Sequence, residues 1–363
     1  MEKIVFILPT LTHPRHHKRI NALREHYKVK IYAFDRGVYN VNTLGTEDIT
    51  VLGKVENKKY WSRITNFRKV FKIINKHKNK NVLFYFFSFD IALIGSIFLS
   101  KNNYIYEIGD FAYLGMSKWL KSITSKIDLR IMRRSLLTVF TSRGFVNYLN
   151  AEKEYLAPNK YVIIPNKMPK EITNFKRQRK VFKDSLRFGF VGVLRYKNTV
   201  LRFIKTLGEK YPQFSFIFYG DGGLKEEFIE LKEKYSNLEY GGSFKNPEDL
   251  GRIYNDFDIH IGCYDITGHN QKIAEPNKLY ESIYFGNPII ASKGTFFGER
   301  VKELGAGYLI DATSDENIIS FLDSLNIKEL NTISENLLNI KTEDLITSHK
   351  VLLEAIKNNT GSN

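Results

Sequence analysis

Residues 275–292 read EPNKLYESIYFGNPIIAS. The run opens on a polar loop, and Pro276 presets the first turn of a helix. A short helix over 278–284 follows, then a turn at Gly286, then the apolar strand 288–291. Lys278 and Glu281 stand three apart and share one helix face. Two readings of that pair stand side by side. One is an ordinary ion pair. The other is a helix start that offers backbone N–H groups to a diphosphate and a carboxylate to ribose hydroxyls. Asn277, just ahead of the helix, joins the same candidate site.

The alternation of helix and strand extends both ways along the chain. Apolar runs at 4–8, 29–34, 82–87, 104–106, 137–141 and 162–164 read as strands of one sheet. Those at 188–193, 215–219, 238–240, 259–263, 288–291 and 307–310 read as strands of a second. Segments of helical period lie between them, and a last helix is expected over 345–357. This pattern predicts an α/β chain with two Rossmann-like, doubly wound parallel-sheet domains facing a cleft. Pro165 and Pro169 interrupt it, and the basic stretch 171–186 reads as a linker. The expected organisation is a domain over 1–170, the linker 171–186, a second domain over 187–342, and a C-terminal helix and tail over 343–363.

Composition narrows the class. The chain has 363 residues, 43% apolar and 26% charged, which is ordinary for globular proteins. Cys263 is the one cysteine, which excludes an internal disulfide and a multi-cysteine zinc site. The run 4–8 reaches Pro9 without a basic flank or a cleavage site, so it reads as a strand and not as an export signal. The most apolar stretch, VLFYFFSFDIALIGSIFLS at 82–100, has Asp90 at its middle. It reads as a buried strand feeding a buried helix, short of the roughly 20 apolar residues of a membrane span. A cytoplasmic location is expected.

Charge is divided unevenly. The formal net charge is +16, made of +18 over residues 1–170 and −2 over residues 171–363. Confinement to one half points that half toward something anionic, such as a membrane surface, a phosphate-rich acceptor or nucleic acid. The stretch FAYLGMSKWLK at 111–121 mixes apolar residues with Lys118, Trp119 and Lys121. An interfacial segment and an ordinary amphipathic helix over the core both fit it.

Two more strand ends carry candidate chemistry. At 188–198 the sequence is FGFVGVLRYKN, a strand ending at Gly192 and a loop with Arg195 and Lys197. Such a loop suits a phosphate, with glycine letting a ligand approach backbone, and by itself reads as well as a solvated loop with two surface cations. At 218–223 the sequence is FYGDGG, where Gly220 permits close approach and Asp221 is either a ligand or a helix cap. The glycine spacing is not that of a dinucleotide fingerprint. In the first half, Asp110 follows a strand. His13, Arg15, His16 and His17 crowd one loop and read as a surface loop, not a metal site.

Taken in order, Gly192 with Arg195 and Lys197, Gly220 with Gly222, Pro276–Lys278–Glu281, and Gly286–Pro288 resemble the nucleotide-binding half of family-4 retaining glycosyltransferases. These have the GT-B fold, and the likeness is to the bacterial polysaccharide type. It covers most of 186–310 and extends loosely to the first half. It implies that Arg195 and Lys197 meet the donor diphosphate, Glu281 meets the ribose, and Asp110 lies near the transferred sugar. Ile273 stands where the family has a second glutamate, with Glu275 two residues away. Gly109 stands where the family has a histidine.

The implied activity is sugar transfer from a nucleotide-sugar, a UDP-sugar first and GDP-mannose next. The implied acceptor is a saccharide, plausibly on a polyprenyl diphosphate, in surface polysaccharide synthesis. His13 and Arg15 are weak candidates on the acceptor side, and Lys118, Trp119 and Lys121 at a membrane. No metal or other cofactor is expected, since cations and a helix dipole neutralise the leaving diphosphate. The expected place is the inner face of the cell membrane, as a peripheral protein. A nucleotide-sugar 2-epimerase of the same fold is one alternative. A basic nucleic-acid-binding protein is another, and it lacks any recognisable binding motif.

Overall fold

The computed structural model describes residues 2–11, 13–36, 49–55, 60–78 and 80–361. Two compact units are present, one of Met1–Pro165 with Ser348–Asn363 and one of Asn166–Thr347.

The strands of the first unit are β1 (Lys3–Leu8), β2 (Lys28–Asp35), β3 (Ile49–Lys54), β4 (Val82–Phe86), β5 (Tyr104–Ile108), β6 (Leu137–Phe140) and β7 (Tyr161–Ile163). Its crossover helices are α1 (Pro14–Arg24), α2 (Tyr60–His77), α3 (Phe89–Phe98), α4 (Lys118–Arg134) and α5 (Arg143–Ala151). All pairings in the seven-stranded sheet are parallel, in the order β3-β2-β1-β4-β5-β6-β7. Strands such as VLFYF are buried throughout because helices cover both faces. The chain passes from the β1 side to the β4 side of the sheet, so a topological switch point lies at their carboxyl ends.

The second unit holds β8 (Arg187–Val193), β9 (Ser215–Asp221), β10 (Leu238–Gly242), β11 (Ile259–Gly262), β12 (Ile289–Ser292) and β13 (Gly307–Ile310). Its helices are α6 (Arg202–Lys210), α7 (Lys225–Lys234), α8 (Leu250–Asn255), α9 (His269–Ile273), α10 (Lys278–Phe285), α11 (Phe296–Glu303), α12 (Asp315–Asp323), α13 (Ile327–Asn339) and α14 (Thr342–Leu345). The sheet is parallel in the order β10-β9-β8-β11-β12-β13, with its switch point between β8 and β11. On β9, Phe216 and Phe218 enter one core layer while Ile217 and Tyr219 enter the other, the period of two that a twice-covered strand requires.

The boundaries differ from those read off the sequence. The stretch 171–186 lies inside the second unit. Two of its cations, Arg177 and Lys180, are bonded to carbonyls at helix ends, where the dipole favours positive charge. Arg177 donates to Tyr284 O at 3.1 Å, Leu337 O at 2.9 Å and Ile340 O at 2.8 Å, and Lys180 donates to Tyr254 O at 2.6 Å. The last helix, α15 (Lys350–Thr360), belongs to the first unit, where Leu352 and Ile356 join the core beside Leu137 and Val139. It runs three residues past the expected end at 357; 362–363 lie outside the described residues.

Candidate active site

The carboxyl end of β8 sits at the second switch point, and its glycines differ in purpose. Gly220 and Gly222 have φ of +139° and +147°, and a Cβ on them would stand 1.9 Å from Gly192 O and 2.3 Å from Leu194 O. Both therefore exist to let backbone meet backbone. Gly192 has φ +133°, and a Cβ there would meet only Lys278 Cε, at 3.8 Å. The space above Gly192 is open, and its wall is the Lys278 side chain.

Lys278 is held rigidly. Its Nζ donates to Glu281 Oε2 at 2.8 Å, and its stem is almost fully buried. Glu281 is completely buried and also accepts from Tyr254 Oη at 2.9 Å and Asn277 Nδ2 at 2.6 Å. Burial and the Glu281 charge push the Tyr254 hydroxyl well above its ordinary pKa, so it remains a donor. His260 on β11 lies behind the pair; burial and the Lys278 charge lower it to about 3, so it is neutral. The pair expected on one helix face is thus part of a buried constellation with Asn277 and Tyr254. The sequence reading did not include Tyr254, which arrives from α8, remote in sequence.

The flanking candidates are more exposed. Arg195 is exposed, with Nε 3.2 Å from Tyr196 Oη and its guanidinium over the Tyr196 ring. Lys197 is exposed and stands 3.9 Å from Glu227. Asp221 is exposed and accepts from Gly222 N at 2.8 Å, so it closes its own turn. The cap position of α7 is Leu224, which means that Asp221 does not cap that helix. Ile273 ends α9, and Glu275 is buried under Tyr280, which donates to it, with Arg300 Nε 3.4 Å away.

At the carboxyl end of the first sheet the centre is Glu107, a buried carboxylate on β5. Arg19 Nε lies 3.0 Å and Tyr85 Oη 2.5 Å from its Oε2, and Arg15 Nε lies 3.3 Å from Oε1. A Cβ on Gly109 would fall 1.8 Å from Arg15 Nη1, so the Arg15 guanidinium occupies the volume a side chain at 109 would need. Asp110 beside it is exposed.

His13 accepts from Arg15 N at 3.2 Å and caps α1, and burial together with the Arg15 charge lowers it to about 3. His16 stacks on His13 at 4.7 Å, and His17 pairs with Leu11 O at 2.8 Å. Among the described residues no group of three His, Cys, Asp or Glu is arranged to hold a metal ion. A charged residue inside the otherwise apolar strand YIYEI was the signal for Glu107.

This arrangement has relatives. Residues 171–336 match the family model of glycosyl transferases group 1. Anabaena Alr3699/HepE, solved in complex with UDP and glucose, superposes over 100% of both chains with a TM-score of 0.70 at 14% identity. The chain has the GT-B fold. Succinoglycan biosynthesis protein ExoL of Rhizobium meliloti is 24% identical over 143 residues, 38% of this chain and 35% of that protein. The uncharacterized glycosyltransferase MJ1059 of Methanocaldococcus jannaschii is 28% identical over 146 residues, 39% of this chain and 34% of that protein. The matched stretch thus spans about a third of the length of either relative. Within the group 1 region lie Gly192, Lys278 and Glu281, together with Tyr254, Asn277, Arg195 and Lys197.

Proposed function

We propose that the chain transfers a sugar from a UDP-sugar to a saccharide acceptor carried on a polyprenyl diphosphate, with retention at the anomeric carbon. The carrying observation is the open space over Gly192, walled by Lys278 inside the group 1 region. A diphosphate seated there meets glycine backbone and a positioned ammonium, and Arg195 and Lys197 border it from the exposed loop. These cations stabilise the charge that develops on the leaving diphosphate. Glu281 holds Lys278 in place and is the candidate for the ribose hydroxyls. In front-face transfer the leaving phosphate takes the acceptor proton, so the reaction requires no dedicated base, and the cations take the part a metal would play on the diphosphate. Donor choice is supported by the solved Anabaena complexes with UDP and with UDP-glucose. A role in polysaccharide synthesis is supported by the likeness to the Rhizobium succinoglycan biosynthesis protein. The first half of the chain, with its charge of +18 over residues 1–170, takes the anionic acceptor.

The test is a panel of nucleotide-sugars incubated with the full chain, with and without a polyprenyl-diphosphate saccharide. The expected result is release of UDP that depends on the acceptor, with a glycosylated lipid as product. Conversion of the nucleotide-sugar to an epimer without acceptor contradicts the reading.

A further inference from the structure

The carboxyl end of the first sheet holds one guanidinium more than its buried carboxylate needs. Glu107 is met by both Arg19 and Arg15. Arg19 is fully engaged within the fold, its Nε donating to Glu107 and its Nη2 to Ile164 O at 3.0 Å. Arg15 is engaged on one edge alone. Its Nε faces Glu107 Oε1 at 3.3 Å, close enough for the charges and not aligned for a hydrogen bond. Among the described residues its two Nη atoms meet no acceptor. The side chain is 16% exposed, so that outer edge can be reached. Both Nη atoms lie over Gly109, where a Cβ would stand 1.8 Å from Nη1 and 2.6 Å from Nη2. The glycine is what makes room for the guanidinium.

Polar atoms that the fold leaves unmatched lie on the same side. Phe6, Leu8, Tyr85, Phe87 and Ile105 share one core layer, and the period of two carries Thr10 and Glu107 onto that face. Thr10 and His16 are more than nine-tenths buried, and Thr10 Oγ1 and His16 Nδ1 have no hydrogen-bond partner among the described residues. The His16 ring packs on Phe87 with centroids 4.1 Å apart. Burial holds His13 and His16 well below the ordinary imidazole pKa, so neither adds charge. Of the other charged neighbours along the chain, Lys18 is half-buried and Asp110 exposed. Buried polar groups are as a rule matched, and a guanidinium held on one edge offers parallel N–H groups on another, the geometry that receives a carboxylate or a phosphate in bidentate fashion. We propose that Arg15, seated over Gly109 and steadied by Glu107, binds an oxyanion of the acceptor. This deepens the reading of the first half as the acceptor side, and rests on it for the source of the anion. The seat itself is built from the first unit alone, so its failure leaves the donor site standing.

The experiment is titration calorimetry of methyl phosphate, glucuronate and glucose into the full chain carrying Lys278→Gln, which removes the competing ammonium of the second unit. Methyl phosphate stands for a phosphoester and glucuronate for an acidic sugar. At least one of the two anions is expected to bind and glucose is not; the tighter anion identifies the source as phosphate or carboxylate. Arg15→Gln in the same background is expected to weaken that binding about tenfold or more. Gly109→Ala keeps every charge and puts a methyl group where Arg15 Nη1 now lies, which displaces the free end of a flexible side chain. It is expected to weaken binding about as much with an unchanged far-UV spectrum, and it tests the seat should Arg15→Gln fail to fold. Arg24→Gln, exposed at the end of α1, is expected to bind like its parent. No heat from either anion, glucose binding as well as they do, or Gly109→Ala and Arg15→Gln chains that bind like their parent would overturn the proposal. So would an equal loss in Arg24→Gln.

Discussion

Two glycines separate support from chemistry at the residue scale. Gly220→Ala puts a Cβ 1.9 Å from Gly192 O on a backbone at φ +139°. Such an overlap is expected to cost about 3 kcal/mol of stability, read as a lowered denaturation midpoint. Gly192→Ala carries the backbone strain but no overlap. It is expected to cost about 1–2 kcal/mol and to weaken nucleotide binding more than it weakens the fold. If both variants lose stability alike, the open space over Gly192 has been misread. Arg195→Ala and Lys197→Ala divide differently. Lys197 already stands 3.9 Å from Glu227, so its replacement is expected to change kcat less than that of Arg195. A larger loss for Lys197→Ala in steady-state kinetics would reverse that order. Lys278, Glu281, Arg195 and Lys197 were legible in the sequence as candidates for a nucleoside diphosphate, Glu281 for its ribose. Tyr254 and Arg19 were not, because each reaches its carboxylate only through tertiary packing.

At the scale of the element, α4 shows what periodicity conveys and what it hides. The helix over 118–134 was legible from its spacing, and so was the βα alternation on either side. Which stripe faces the sheet was not, because α4 carries apolar residues on two sides. The deciding residue is Asp128, a carboxylate buried on the inner stripe with Tyr106 Oη 3.0 Å away. Burial raises its pKa to about 7. Between the ordinary carboxylate value near 4 and about 7, the native protein holds a proton here that the unfolded chain has released. Stability therefore falls as pH rises through that window, by about 1.4 kcal/mol per pH unit, and levels off above it. Asp128→Asn removes the effect. The variant is expected to gain stability over the parent on going from pH 5 to pH 8 in urea unfolding. A difference that does not change with pH would show that Asp128 is ionised in the native state. Other elements escaped the sequence reading, two of them for plain reasons. The strand Ile49–Lys54 is an edge strand and half-exposed, so it lacks a long apolar run. The helix Ile327–Asn339 buries only a thin stripe at Leu330, Ser334 and Leu337.

For the whole molecule, two doubly wound parallel-sheet domains were legible from the alternation. The path of the chain was not. Helix α15 returns to the first unit because Leu352 and Ile356 complete its core, and nothing local in 343–363 distinguishes that from docking on the second. On the function proposed above, the second unit seats a nucleoside diphosphate over Gly192 against Lys278. Titration calorimetry of UDP into the full chain, beside Lys278→Gln with its fold checked by far-UV spectrum, tests that seat without any assumption about the acceptor. The expected result is one UDP per chain, with affinity lowered about tenfold or more in the variant, as the loss of a charged hydrogen bond of roughly 1.5–3 kcal/mol requires. No heat from UDP with the parent chain, or the same affinity in a folded Lys278→Gln variant, would contradict it.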